Sequence, residues 1–474
     1  MDTLPLDLSH SPTETALETF LNGCRQQAIL KSHPQLVSIS VASDLLDPLA
    51  VLESIYDPSE PHFYVERPSD CVALAGAEVA IHSASRSGDR FESAKAFITD
   101  TLDNAVAVGD ATLPFFGPHF FCGFTFFDEV GEGEAFPPAT VFVPSWQVSV
   151  KRGVCVATAN ALVEECSDIE SISKRIWNAN TKFKSFDYRS VDVSASESRR
   201  PEWRMEEASE EGDFSGSVGR AIKEIDSEVF EKIVLARARD LRANQVFHPL
   251  EILNAMRDRY PDCYSFSFAN GEGQSFIGAS PERLVKVEDK EFAADALAGS
   301  APRGLSARED ARLGSELLNS EKDRYEQKVV LDSICRRLEF LGTEIRLEKE
   351  PALKRLSNVQ HLYNEVRGKL LEGTSLLDFV EQLHPSPAVG GSPRGRACER
   401  ISHYEGFARG LYAGPIGWVD SNLEGEFLVA IRSALIDGDT ARLYAGVGIV
   451  KGSIPEKELQ ETNLKFKALL ENLV

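Results

Sequence analysis

The chain has 474 residues, a formal net charge of −23, 42% hydrophobic residues and 26% charged residues. This length and composition are typical of a soluble globular protein that is long enough for more than one domain. The acidic balance argues against nucleic acid and against an anionic membrane surface as partners, because both bind basic protein surfaces. An anionic small molecule stays possible where a few cations converge.

The cysteines and the first residues predict the compartment. The 8 cysteines are scattered and form no CxxC pair, which is typical of reduced thiols and argues against a disulfide framework or a zinc site. Residues 1–7 contain no basic segment followed by an apolar run, so no signal peptide is predicted. No apolar stretch is long enough to cross a bilayer. We therefore expect a cytoplasmic protein without a membrane partner.

The first part of the chain mixes short strands with helices. A capping pattern at residues 11–14 predicts a first helix. Strands are predicted at 62–66, 71–82, 120–127 and 140–157, and helices at 89–107 and 168–186. This mixture predicts an α+β fold rather than a doubly wound sheet. Residues 191–214 are polar, so they are predicted to be a linker or surface loop between residues 1–190 and 215–474.

Two charged residues of the second part lie next to apolar strands. Lys232 begins a strand-like run and shares a face with Val234 and Ala236. A lysine there is either a gatekeeper at a sheet edge or a buried functional amine, and taken alone the gatekeeper interpretation is favoured. Glu282 follows Pro281, which ends a predicted buried strand, so its simplest role is to cap a turn.

Glu326 and Arg432 are predicted to face inward. Glu326 lies one turn before Val330 on the apolar stripe of a predicted helix. Because an unpaired buried charge costs roughly several kcal/mol, Glu326 needs a partner, and a metal ion or an arginine would serve. Arg432 lies in the predicted strand 426–436, on a face with small apolar residues. Its planar fork would bind a carboxylate or phosphate, or form a structural ion pair.

The last stretch predicts a glycine-rich strand followed by a helix. Residues 441–450 are predicted to pair with 426–436 around an Asp-Gly turn. On the helix, Glu458, Glu461 and Lys465 share a face that differs from the apolar stripe. Taken alone, this pattern is typical of a solvated face with one ion pair.

The motifs become specific as an ordered set. In chain order they are KIVLAR at 232–237, GASPE at 278–282, KDRYE at 322–326, LHP at 383–385, YAGPIGW at 412–418, AIR at 430–432, and the closing glycine strand with its glutamate-rich helix. Together they resemble the chorismate-utilising enzymes, which include isochorismate, salicylate, anthranilate and aminodeoxychorismate synthases. The resemblance covers residues 215–474 and extends only loosely to the N-terminal region.

Two positions separate members of that family. Members that use water begin the 232–237 motif with lysine, whereas those that use ammonia have glutamine there. Lys232 therefore implies water as the nucleophile, and no amidotransferase subunit is expected. The second position is 388. Its alanine matches the isochorismate synthases, whereas salicylate synthases and the amination enzymes tend to have threonine there. The resemblance thus implies an isochorismate synthase; the alternatives are a salicylate synthase and a non-catalytic chorismate-binding paralogue.

The resemblance also implies a role for each candidate residue. Lys232 would be the general base for water and Glu282 the general acid for the departing C4 hydroxyl of chorismate, which requires a lowered pKa for the lysine and a raised pKa for the glutamate. Mg²⁺ would be held by Glu326 and Glu461, with Glu458 assisting through a water. The residues implied to bind or line the substrate pocket are Ser300, His361, Ala388, Tyr412, Arg432, Gly446, Gly448 and Lys465.

The expected architecture follows from the same resemblance. Mainly antiparallel sheets should stack in the core with helices outside, and the site should lie in a cleft between the sheet layers. Residues 1–190 should complete one of the sheets. A monomer is expected, although the sequence leaves a dimer open. The sequence also leaves open whether the product serves menaquinone, phylloquinone, siderophore or salicylate synthesis.

Overall fold

The structure is a computed structural model that describes residues 1–4, 13–85, 88–184, 203–207, 213–348 and 350–473. Two large sheets dominate this part of the chain. Almost all of their strand pairs are antiparallel, and the parallel pairs described are those of residues 105–108 with 2–4 and with 36–39. The predicted α+β class is therefore confirmed.

The first sheet joins strands from both ends of the chain. In spatial order it contains β1 (Asp2–Leu4), β6 (Ala105–Val108), β2 (Gln35–Ser43), β10 (Val154–Val163), β9 (Trp146–Lys151), β4 (Val72–Ala77), β3 (His62–Arg67), β13 (Tyr264–Ala269), β14 (Gln274–Ser280), β23 (Ser433–Asp437), β24 (Thr440–Val450), β12 (Lys232–Ala243) and β11 (Trp203–Glu207), while β20 (Gly391–Ser392) pairs with β12.

The second sheet is smaller and has the same mixed origin. Its order is β17 (Ile345–Leu347), β19 (Val359–Lys369), β16 (Glu291–Pro302), β15 (Arg283–Glu288), β22 (Gly425–Val429), β21 (Pro415–Val419), β7 (Phe120–Phe124), β8 (Ala139–Val143) and β5 (Ile81–Ser85), while β18 (Ala352–Arg355) pairs with β19. The described helices are α1 (Glu14–Lys31), α2 (Pro48–Ser54), α3 (Arg90–Asp103), α4 (Ile169–Lys184), α5 (Phe214–Asp226), α6 (Pro249–Arg259), α7 (Ala307–Asn319), α8 (Glu321–Phe340), α9 (Leu376–Leu383), α10 (Arg394–Tyr404) and α11 (Pro455–Leu473).

The largest apolar cluster lies between the two sheets. It joins side chains such as Phe63 and Phe268 of the first sheet to Phe121 of the second. The rings of Phe63 and Phe121 stack with their centroids 4.2 Å apart. A second cluster covers the opposite face of the first sheet, where Met256 of α6 and Phe466 of α11 pack. The sheets therefore stack in the core with helices outside, as predicted.

Several predicted element boundaries are wrong. The predicted strand 71–82 is two strands, β4 in the first sheet and the start of β5 in the second. The predicted strand 140–157 is three antiparallel strands, β8, β9 and part of β10. The predicted helix 89–107 ends at Asp103, and the apolar residues after it form β6 in the first sheet. A short apolar run fits a buried strand and a helix end equally well, so the pattern alone could not separate them.

The predicted strand 426–436 is also wrong as a single element. Its residues form β22 in the second sheet and β23 in the first, with a break between Val429 and Ser433. Arg432 has a positive φ of 54° in this break, so it does not lie on a strand face as predicted. It stands instead where the chain crosses from one sheet to the other.

The segment predicted as a linker contains a strand. Residues 203–207 pair with β12, whereas residues 191–202 and 208–212 lie outside the described residues. None of the helices in the described ranges is both long enough and apolar enough to cross a membrane.

A buried ion pair ties β12 to the loop that follows α9. Arg409 is 1% exposed. Its guanidinium contacts both carboxylate oxygens of Glu405 at 2.6 and 2.8 Å, and donates to the carbonyls of Val389 and Val234 at 2.9 Å. The Ala236 amide donates to the same glutamate. One arginine thus holds two chain segments together.

Arg409→Met should lower the free energy of unfolding by about 3–5 kcal/mol, because it leaves Glu405 buried without its partner. Urea denaturation monitored by tryptophan fluorescence measures the loss. Arg312→Met is the matched control. It breaks an exposed i,i+4 pair with Glu316 and should cost only about 0.5 kcal/mol. Equal effects of the two substitutions would contradict the structural role of Arg409.

Candidate active site

A cavity of about 120 Å³ lies between the two sheets, as predicted. Its walls come from β12 and β24 of the first sheet, β16 and β19 of the second, and the helices α8 and α11. All of the site residues predicted from sequence line it: Lys232, Glu282, Ser300, Glu326, His361, Ala388, Tyr412, Arg432, Gly446, Gly448, Glu458, Glu461 and Lys465.

Lys232 lies inside the first sheet rather than at its edge. It is the first residue of β12 and is paired on one side with Val450 and on the other with Ser392. Only 1% of it is exposed. The gatekeeper interpretation is therefore wrong. The amine is buried, as the alternative requires, and its functional role stays a prediction. The ammonium nitrogen donates to Glu326 Oε1 at 2.8 Å.

Glu326 has a lysine as its partner, which the sequence analysis did not consider. The pair needs space, and Gly448 on β24 provides it. A Cβ atom at this position would lie 2.5 Å from Glu326 Oε1 and 3.0 Å from Lys232 Cε. At Gly446, a Cβ atom would lie 2.7 Å from the Tyr412 hydroxyl. Because Gly446 and Gly448 have no side chains, the backbone of β24 itself forms this part of the cavity wall.

Glu282 occupies the turn between β14 and β15, as predicted, and its side chain lines the cavity. The Glu282 amide donates to Ser280 Oγ at 3.2 Å. The turn is thus capped by the Ser280 hydroxyl, and the Glu282 carboxyl is not needed as a cap. Burial raises the pKa of Glu282 to about 8, and the charge of Asp295 adds to the increase. The carboxyl is therefore mainly protonated at neutral pH and can donate a proton.

The carboxylates of α11 pair with lysines. Glu458 is 2% exposed and accepts from Lys322 at 3.0 Å, so the predicted solvated face is wrong at this position. Glu461 contacts Lys465 at 2.7 Å. Burial pushes the pKa of Glu461 up, but Lys465 outweighs it, helped by neighbouring cations, and holds that pKa below its ordinary value.

The predicted magnesium ligands fit the ion in their chemistry. Glu326, Glu458 and Glu461 offer carboxylate oxygens to one cavity, and Mg²⁺ prefers such donors. In this arrangement each of the three is held by a lysine. Among the described residues, no group of three or more His, Cys, Asp or Glu side chains is close enough to hold a metal. Metal binding would therefore require these carboxylates to leave their lysine partners.

The opposite wall offers polar groups for a ligand. Burial lowers the pKa of His361 to about 3, so the ring is neutral. Its Nδ1 lies 3.1 Å from the Gly299 carbonyl, which can only accept, so Nδ1 carries the hydrogen. The other nitrogen, Nε2, is buried and has no hydrogen-bond partner within the described ranges. It is thus free to accept a hydrogen bond from a bound molecule.

Cations surround the remaining space. Lys465 donates to the Gly446 carbonyl at 2.8 Å, which fixes its position beside β24. Arg432 reaches the cavity from the crossing between the sheets. In the described parts of the chain its guanidinium has neither a hydrogen bond nor an ion pair. A carboxylate ligand would supply the missing partner.

Several residues that line the cavity were not predicted from the sequence. Lys322 lies on α8 four residues before Glu326, so helical spacing could have found it. Tyr444 lies on β24 two residues before Gly446, and its ring stacks on Tyr412 with the centroids 5.0 Å apart. The period of two along a strand would have indicated that face.

The chain is similar to known proteins over most of its length. A family model described as chorismate binding enzyme matches residues 21–474. Isochorismate synthase MenF of Bacillus subtilis is 35% identical over 360 residues, which cover 75% of each chain. A salicylate biosynthesis isochorismate synthase of Pseudomonas aeruginosa is 40% identical over 266 residues, but this match spans only 56% of each chain.

Solved structures share the fold. The menaquinone-specific isochorismate synthase MenF from Escherichia coli superposes with a TM-score of 0.78 at 25% identity, covering 96% of this chain and 100% of the other. Anthranilate synthase component I from Streptococcus pneumoniae has a TM-score of 0.65 at 21% identity, covering 84% and 92%. The second likeness concerns the fold alone.

Glu282 should titrate with a midpoint near pH 8 in the folded protein. Infrared difference spectroscopy over a pH series would follow the protonated carboxyl, and Glu282→Gln should remove the signal. Glu316→Gln, at an exposed position, should leave it unchanged. A carboxyl that ionises near its ordinary value would contradict the assignment. Because the pKa of Glu282 is higher in the folded protein than its ordinary 4.5, its contribution to the free energy of unfolding is full below pH 4.5. That contribution is lost as the pH rises through about 8.

Proposed function

The chain belongs to the family of chorismate-binding enzymes, and from this premise we propose that it is an isochorismate synthase. The reaction is the reversible conversion of chorismate to isochorismate, in which water adds at C2 and the C4 hydroxyl departs as water. The observation that carries the proposal is a buried lysine and a buried glutamate in the walls of one cavity, where burial raises the pKa of the glutamate to about 8.

The two groups divide the proton transfers between them. Glu282 gives its proton to the departing C4 hydroxyl, and Lys232 takes a proton from the attacking water, while the ring double bonds shift. One water enters and one leaves, so the product is an isomer of the substrate. Lys232 can accept a proton only as a neutral amine. Its ammonium contacts Glu326 at 2.8 Å, so the proposal requires Lys232 to release one proton before it accepts another from water.

The substrate is a dicarboxylate, and the cavity offers cations for it. We assign its carboxylates to Arg432, Lys465 and the amides near Gly446 and Gly448. Ser300 and Tyr412 would complete the polar wall. Neutral His361 would accept a hydrogen bond from a substrate hydroxyl through Nε2. A few converging cations allow a chain with a net charge of −23 to bind a dianion.

The cofactor in this proposal is Mg²⁺, held by Glu326 and Glu461 with Glu458 assisting through a water. When bound, the ion would neutralise a ring carboxylate of chorismate. Lys232 favours water over ammonia, and Ala388 offers no hydroxyl where threonine stands in salicylate synthases. The protein would therefore act without an amidotransferase subunit and without pyruvate release. In this proposal it acts in the cytoplasm as a monomer.

Incubation of the purified protein with chorismate and Mg²⁺ should yield isochorismate without pyruvate, and EDTA should abolish the conversion. Chromatography of the products and a coupled pyruvate assay measure both outcomes. Salicylate with pyruvate would identify a salicylate synthase instead. No turnover with or without Mg²⁺ would favour a non-catalytic chorismate-binding protein.

Lys232→Ala and Glu282→Gln should each lower kcat by roughly 10²–10⁴-fold, because each removes one proton transfer. In the unsubstituted protein, kcat should fall as pH rises above about 8, since Glu282 then loses its proton. Lys286→Ala is a control for the loss of a lysine, because Lys286 pairs with Glu288 outside the cavity. Equal kcat values for Lys232→Ala and this control would rule out Lys232 as the base.

A further inference from the structure

The buried carboxylate of Asp295 is linked to the residues before and after Glu282. Asp295 lies on β16 with 2% of its side chain exposed. It accepts from Arg283, the residue after Glu282, at 2.7 Å. It also accepts from Lys354 at 3.0 Å, and Lys354 donates to the carbonyl of Pro281, the residue before Glu282, at 2.8 Å. The turn that carries Glu282 is thus fastened on either side to one carboxylate.

Lys354 comes from a different part of the second sheet. It lies on β18, and 14% of its side chain is exposed. Its ammonium lies 5.0 Å from the centre of the Tyr363 ring, and the Tyr363 hydroxyl donates to Asp295 at 3.2 Å. Two donors besides Arg283 therefore converge on the buried aspartate. None of these contacts belongs to the lysine–glutamate pairs described above.

We propose that Asp295 and Lys354 are positioning residues for Glu282. They hold its turn against the cavity, and their opposite charges act in opposite directions on its carboxyl. The proposal rests on the assignment of Glu282 as the proton donor of the proposed reaction. Glu282 itself lies between two strands, and its carbonyl accepts one backbone hydrogen bond, from the Val429 amide at 3.0 Å. The side-chain contacts of Lys354 and Arg283 add to this single backbone bond in fixing the turn.

The charges act on Glu282 in opposite directions. Besides burial, Asp295 raises the pKa of Glu282, whereas Lys354 and Lys232 lower it. Asp295 itself stays ionised: burial favours its neutral form, but Arg283 and Lys354 outweigh this and lower its pKa to about 2. The other charged or titratable groups near the turn are Glu326 on α8, His361 and Glu365 on β19, and Arg432 between the sheets.

Two nearly isosteric substitutions separate this role from simple packing. Lys354→Gln keeps a donor for the Pro281 carbonyl but removes the positive charge, so the midpoint of the Glu282 titration should rise by about one pH unit. Asp295→Asn removes the negative charge, so the midpoint should fall by a similar amount. Lys354→Arg, which keeps charge and donor, should leave the midpoint close to that of the unsubstituted protein.

The experiment is an infrared pH titration of the ligand-free variants, with Glu282→Gln to assign the signal and circular dichroism to confirm folding. Lys286→Gln controls for the loss of a lysine charge in the same sheet. Shifts in opposite directions support the proposal. Shifts in the same direction, or none in folded variants, overturn it. Should Lys354→Gln fail to fold, Lys354→Met and Asp295→Asn still test the opposite signs.

The pH dependence of kcat gives a second measurement. The fall in kcat at high pH should move with the titration midpoint, upward for Lys354→Gln and downward for Asp295→Asn, while KM changes little. Conversion of chorismate without these shifts would overturn the inference and leave the proposed function intact. Opposite titration shifts in a protein that does not convert chorismate would overturn the proposed function and keep the assignment of the charges around Glu282.

Discussion

The contact between Lys232 and Glu326 is the constraint on which the rest of the site depends. A buried ammonium loses its hydration, and only a close carboxylate compensates for that loss. The pair joins the start of β12 in the first sheet to α8, which packs on the second. The cavity between the sheets therefore has a charged link across it, and Gly448 has to be a glycine because any Cβ atom there would meet both partners.

The same logic of pairing explains how an acidic protein holds an anion. Lys322 and Lys465 are engaged by Glu458 and Glu461, so these charges largely cancel. Glu282 is mainly neutral at pH 7 because burial raises its pKa to about 8. Of the remaining charged groups that line the cavity, Arg432 is a cation and Asp323 is acidic. Local compensation, rather than the net charge of the chain, sets what the cavity attracts.

Much of the site could be predicted because most of its residues lie in short motifs whose order is specific, and the structure brings every predicted site residue to one cavity. The fold was predictable where a turn signal separated two alternating runs, as at the hairpin around Gly438. Prediction failed where the chain changes sheets at Arg432, since a residue with φ of 54° leaves no mark on the apolar pattern. It also missed the contacts of Lys354, which join residues 59 and 73 positions apart.

The two proton-transfer groups are positioned in different ways. Lys232 belongs to a strand with neighbours on both sides, so the sheet itself fixes its backbone. Glu282 lies in a turn, where its carbonyl accepts one backbone hydrogen bond, from Val429, and side chains provide the rest of the support. Arg283, Asp295 and Lys354 supply that support with charged groups. Charges act over several ångströms in a buried site. The charged groups that hold the Glu282 turn therefore also change the affinity of the Glu282 carboxyl for a proton, whereas strand pairing at Lys232 places no such charges beside the amine.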